Sequence, residues 1–101
     1  MKEGDVYAGT WGATMVIPQF FVVVKVTAKR VKLAEYDGIM VRSADGGYYQ
    51  RGYEVPDMSK CLGESVGIPQ ADGSIRLKNH VGSHMWVDPW DGKPIWADYM
   101  D

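Results

Sequence analysis

The chain has 101 residues, 46% hydrophobic and 12% aromatic, with eleven Lys/Arg against thirteen Asp/Glu for a formal charge of -2. That length fits one domain whose single core removes roughly two-thirds of the extended surface from water, and the composition excludes an intrinsically disordered chain. The near balance of charge excludes a global electrostatic drive toward nucleic acid or an anionic membrane, but it leaves room for a local patch.

Cys61 is the sole cysteine, so no intramolecular disulfide forms, and a reducing compartment suits the chain. The start, Met1 to Tyr7, has no apolar signal region, and the longest apolar run, Phe20 to Val24, is far short of the roughly 20 residues that span a bilayer. The expectation is a cytoplasmic protein with no membrane partner.

Asp5 to Trp11 predicts a first short strand, followed by a loop from Gly12 to Pro18. Gln19 to Ala28 predicts the second strand, with Phe20, Val22, Val24 and Val26 on one face and Phe21, Val23, Lys25 and Thr27 on the other. Three consecutive valines argue against a helix there. Ala28 to Arg30 reads as a tight reversal into a strand carrying Val31, Leu33 and Tyr36, so the two pair as a hairpin.

Asp37-Gly38 and Asp45-Gly46-Gly47 read as turns, and Tyr48 to Val55 as a further strand. Pro56 to Asp72 reads as an irregular crossover with at most one short helix, which Asp57 or Ser59 would cap. Asp72-Gly73 introduces a strand over Ser74 to Asn79 with Ile75 and Leu77 inward. His80 to Ser83 is loop, Met85 to Val87 a brief strand, Asp91-Gly92 a turn, and Ile95 to Tyr99 the last strand.

About five to seven short strands joined by turns predict a mainly β fold. The forms that fit are a small, partly open SH3-like barrel or a strongly curved antiparallel sheet, which limit exposed edges around one core. A two-layer sheet with a short covering helix is the alternative.

Five islands carry a resemblance: Gly4 to Tyr7 with Trp11-Gly12, Phe20 to Thr27, Val31 to Leu33, Arg76 to Lys78, and Trp90 to Pro94. Together they resemble a family of small uncharacterised proteins of bacteriophages and mobile elements. The span from Asp37 to Gly73 matches weakly, and Ala13-Thr14-Met15 stands where that family has a more polar turn with a tyrosine. The resemblance implies phage or prophage origin and action in the bacterial host cytoplasm, and it implies no active-site residues.

No nucleophile elbow, phosphate-binding loop or dinucleotide fingerprint occurs, so no enzyme activity, catalytic residue, metal or cofactor is expected. His80, His84 and Asp88 recur every fourth residue, but Gly82, Ser83 and Pro89 oppose the helix that would gather them around a metal. Cys61 has no local base and reads as an ordinary thiol.

Two recognition surfaces remain. Trp86, Trp90, Trp96 and Tyr99 lie among Asp88, Asp91, Asp98 and Asp101, an acidic aromatic segment suited to a basic bacterial protein or protein complex. The expectation is a phage accessory protein that binds a host or defence-system protein as an inhibitor. The alternative is a nucleic-acid-binding module in which Lys25, Lys29, Arg30 and Lys32 act with Arg51 amid Tyr48, Tyr49 and Tyr53. A third reading is a phage structural or assembly protein that self-associates.

Overall fold

A computed structural model describes residues 1–79 and 81–100. They form seven strands: β1 (Val6–Trp11), β2 (Ile17–Val26), β3 (Val31–Ser43), β4 (Arg51–Pro69), β5 (Ile75–Lys78), β6 (His84–Pro89) and β7 (Ile95–Asp98). There is no helix among the described residues. The strands make one antiparallel sheet in the order β3-β2-β1-β6-β5-β4-β7, and an added β3–β4 pairing closes a ring of hydrogen-bonded neighbours. This is the mainly β, strongly curved sheet that the turn spacing predicts.

The valine-rich stretch explains why the sheet curls. Phe20 and Phe21 point to opposite faces of β2, yet both are buried. Phe21 and Val23 enter the main core with Tyr7, Val31, Leu33, Ile75, Leu77, Met85 and Val87. Each fully buried side chain of this size contributes about 1.5–3 kcal/mol of transfer free energy. Phe20 faces outward from that core and is covered by Trp90, whose ring stands edge-on at 5.9 Å between centroids. The strand emerges into solvent at its end, as expected for Lys25 and Thr27. Val24 and Val26 are exposed as well, and the register shift between Val23 and Lys25 leaves Val24 out of the pairing with β3.

Several expectations are corrected in the central third. Asp37-Gly38 is no turn: β3 runs through it, with Gly38 opposite Pro56. A Cβ at Gly38 would collide with the Glu54 carboxylate, so glycine here makes room for a side chain. Pro56 to Pro69 is no crossover and holds no helix. It continues β4 against β3, and the register shift between Tyr36 and Gly38 absorbs the extra residues from Asp57 to Lys60. Asp57 accepts hydrogen bonds from Ser59 N (3.0 Å) and Oγ (2.6 Å), so the pair that resembles a helix cap orders a bulge.

Tyr48 and Tyr49 lie before β4 rather than within it. Asp45 accepts the backbone N–H groups of Tyr49, Gln50 and Arg51, and Tyr49 adopts φ 62°. The turn around Asp45 therefore outcompetes the ladder. The Asp72-Gly73 and Asp91-Gly92 turns form as expected, with each glycine at positive φ.

β4 bends so that its two halves serve different neighbours. Its first residues, Arg51 to Glu54, pair with β7, and its last, Ile68 and Pro69, pair with β5. The bridge from Val16 to Asp98 then ties β7 to the start of β2.

Candidate nucleic-acid interface

At the β2–β3 turn, Thr27 holds Arg30 through its backbone N and side-chain Oγ1, leaving Lys29 and Arg30 exposed. One step into the ladder, Lys25 stands directly opposite Lys32. Like charges directly opposite repel, which a bound anion would relieve. Lys32 also forms an exposed ion pair with Glu64 at 3.3 Å, and such pairs contribute little.

The outward row continues around the ring. Lys32 faces Val66 of β4; Ile68, two residues on, faces Arg76 of β5; Arg76 faces Trp86 and Lys78 faces His84 of β6. Directly opposed residues share a sheet face. The inward positions on β5 and β6 belong to Ile75, Leu77, Met85 and Val87, all buried, so Arg76, Lys78, His84 and Trp86 project outward. The Trp86 side chain is 53% exposed, an unusual position for a large ring.

Between β4 and β5 the described ladder holds only Ile68↔Arg76 and Pro69↔Ile75. Beyond it the strands splay, opening a wedge of about 370 Å³ with Ser65, Val66 and Ile68 on one wall and Arg76, Lys78 and His84 about the other. The wedge has an apolar β4 side and a cationic rim.

Of the basic residues expected to act together, Lys25, Lys29, Arg30 and Lys32 do gather, but Arg51 does not join them. It sits at the opposite end of β4, where its Nε meets Asp98 Oδ1 at 3.2 Å. Arg42 lies over the Tyr53 ring, 4.2 Å from its centroid, and Tyr53 meets Trp96 edge-on.

The acidic aromatic segment is divided by the fold. Trp86 lies among the basic residues. Trp90 packs on Phe20 and donates its Nε1–H to Lys93 O at 2.8 Å, while Asp91 accepts Lys93 N in the same turn. Asp98 is engaged by Arg51, and Tyr99 donates to Glu54 Oε2. Asp88 and Trp96 remain exposed, whereas Asp101 lies outside the described residues. A second concavity of about 380 Å³ includes Asp5, Pro89 and Trp90.

Glu54 is 4% exposed, and burial pushes its carboxyl above the usual range; the Tyr99 hydrogen bond opposes that shift and nearby Asp37 adds to it. Burial and Glu54 likewise raise the Tyr99 phenol. These groups tie β4 to the segment after β7.

His84 and Asp88 occupy an extended strand, four residues and about 13 Å apart along its axis; His80 of that spacing lies outside the described residues. Among the described residues no group of three His, Cys, Asp or Glu is placed to hold a metal. Cys61 is exposed, 3.8 Å from Gly63 O.

Arg76, Lys78, His84 and Val66 belong to this candidate row, and local sequence reasoning does not place them there. The alternation Arg76-x-Lys78 and His84-x-Trp86 around inward Leu77 and Met85 is the signal that could have found them. No helix among the described residues is long and apolar enough to cross a membrane. Comparison with family models, curated proteins and solved structures finds no match.

Proposed function

We propose that the protein binds single-stranded nucleic acid along the outward row that runs from Lys25 and Lys32, past Val66, to Arg76, Lys78, His84 and Trp86. The observation that carries this reading is the register of β5 against β6, which sets Arg76 beside exposed Trp86 and Lys78 beside His84. Cations follow the phosphate backbone, and an exposed ring offers a stacking surface to any base. The overall charge of -2 does not oppose this, because a row of like charges acts over a Debye length of about 8–10 Å.

A single strand fits better than a duplex. The row wraps the outside of a closed ring, and a duplex, with a persistence length of about 150 base pairs, resists following so tight a curve. A flexible strand follows it and exposes its bases to Trp86.

An accessory role in a phage-infected host is compatible with this activity and rests on the resemblance of the sequence islands. Capture of a basic host protein by the acidic aromatic segment has less support: Asp91, Asp98, Trp90 and Tyr99 already bond within the chain.

The test is fluorescence anisotropy with a labelled single-stranded oligonucleotide of mixed sequence. Replacing Arg76 and Lys78 together by alanine is expected to weaken binding at least tenfold, while Arg51→Ala leaves it unchanged. Equal loss from both variants, or no binding by the unsubstituted protein, contradicts the proposal.

A further inference from the structure

We propose that the wedge between β4 and β5 takes one base from the interior of the bound strand, edge first, and that the backbone of Val66 and Lys78 hydrogen-bonds to it. The inference rests on the nucleic-acid reading and adds a point of base contact within the same row.

The backbone points to this occupant. Gln70 N donates to Ser74 O at 2.9 Å, so the alternation of an antiparallel ladder makes Ile68 and Arg76 the next hydrogen-bonded pair. Val66 and Lys78 would form the pair after that, and the ladder stops before it. Both residues aim their N–H and C=O groups at the wedge rather than at their outer neighbours. Asn79 N donates to Ser83 O at 2.8 Å, which puts Leu77, not Lys78, in hydrogen-bonded register with β6. Val66, two residues from Ile68, likewise aims away from β3.

Each wall of the wedge therefore presents a donor beside an acceptor. The Watson–Crick edge of every base does the same, and in a single strand that edge is free. A phosphate carries only acceptors at neutral pH, so it would leave both carbonyls without a partner.

The side chains suit a flat ring. Val66 and Ile68 offer apolar contact to one face, and Arg76 across the wedge offers a guanidinium plane to the other. The volume of about 370 Å³ lies at the small end of ligand pockets, room for one base rather than several. The wedge lies within the row, with Lys25 and Lys32 on one side and Trp86 on the other. The strand passes its mouth in both directions, one base turns in, and a different base stacks on Trp86.

The experiment uses a labelled strand of about six nucleotides, short enough to limit sliding, with an abasic site at each position in turn. Two positions are expected to lose affinity, each by about fivefold to a hundredfold, the range for one held base. In a Trp86→Ala background one of these penalties disappears and the other stays. Hydrogen exchange at saturating strand ties the remaining penalty to the wedge. The Val66 and Lys78 amides are expected to exchange fast in the free protein and to slow by roughly tenfold with the intact strand, as one added hydrogen bond predicts. They stay fast with the strand that is abasic at the remaining position. Both strands cover the row equally, so the difference reports base contact rather than shielding.

Affinity loss at no position beyond the one that Trp86→Ala removes overturns the base site and leaves the nucleic-acid reading standing. Equal exchange of Val66 and Lys78 with intact and abasic strands also overturns it, because the sensitive base then sits elsewhere. Failure of every strand to bind overturns both.

Discussion

Tyr99 donates its phenolic hydroxyl to Glu54 Oε2 across 2.5 Å, joining the residue that follows β7 to a buried carboxyl on β4. The folded state holds the Glu54 proton more tightly than the unfolded chain does, because burial raises its carboxyl and Asp37 adds to the effect. A raised carboxyl contributes stability that is fully present below the unfolded value and is lost as pH rises through the folded value. Asp37 itself is held by Lys60 at 3.1 Å. Glu54→Gln is therefore expected to melt at a higher temperature than the parent protein near pH 8 and to converge with it toward pH 4. Calorimetric melting across that range checks the sign, and a difference that grows toward acid contradicts it.

Gly38 and Glu54 form a second pair whose coupling is measurable. A Cβ at Gly38 meets Glu54 Oε1 too closely to be accommodated without movement. Gly38→Ala is expected to cost about 1–3 kcal/mol, the usual range for overpacking. In a Glu54→Ala background the same change is expected to cost much less, because the obstacle is gone. A double-mutant cycle by urea unfolding gives the coupling, and additive effects would show that Gly38 does not serve Glu54.

The β3–β4 loop depends on one carboxylate. Asp45 accepts three successive backbone N–H groups and the Ser43 hydroxyl at 2.6 Å, and these hydrogen bonds hold its carboxyl below the usual range. Asp45→Ala is expected to raise hydrogen exchange at Tyr49, Gln50 and Arg51 and to lower the melting temperature. Oligonucleotide affinity is expected to stay unchanged, since this loop lies outside the Lys32–Arg76–Trp86 row.

Trp86 separates stacking from simple charge attraction. Trp86→Ala removes a largely exposed ring and leaves the neighbouring cations in place. Base stacking contributes about 1–3 kcal/mol per base, so affinity is expected to fall roughly five- to hundredfold with little change in salt dependence. Titrations at two salt concentrations distinguish this from loss of a cation, which would flatten the salt dependence.

The hairpin from Gln19 to Leu33 is legible because its valine run, charged reversal and alternating residues agree on one structure. Ile75 and Leu77 are legible for the same reason. The path through Asp37-Gly38 is not, because the glycine answers to Glu54, a side chain sixteen residues away, rather than to a local turn. The span from Pro56 reads as an irregular crossover when taken alone, yet β4 absorbs the irregularity through register shifts against β3.

The candidate site divides in the same way. Lys25 and Lys32 are close in sequence and meet across one hairpin. Arg76 and His84 reach the same row only through the pairings of β4, β5 and β6. Arg51 resembles a binding residue among tyrosines until Asp98, 47 residues later, occupies its Nε. Nonlocal pairing decides which charges remain available, and composition cannot report it.

The most direct measurement is the dissociation constant for a hydroxyl-ended single strand as a function of salt concentration. With about four to six cations engaged, the logarithm of the dissociation constant is expected to rise with the logarithm of salt concentration with a slope near +3 to +4, and the slope should become shallower by about 0.7 for each of Lys32, Arg76 and Lys78 replaced by alanine. A slope near zero, or one that these substitutions leave untouched, would contradict nucleic-acid binding at this row.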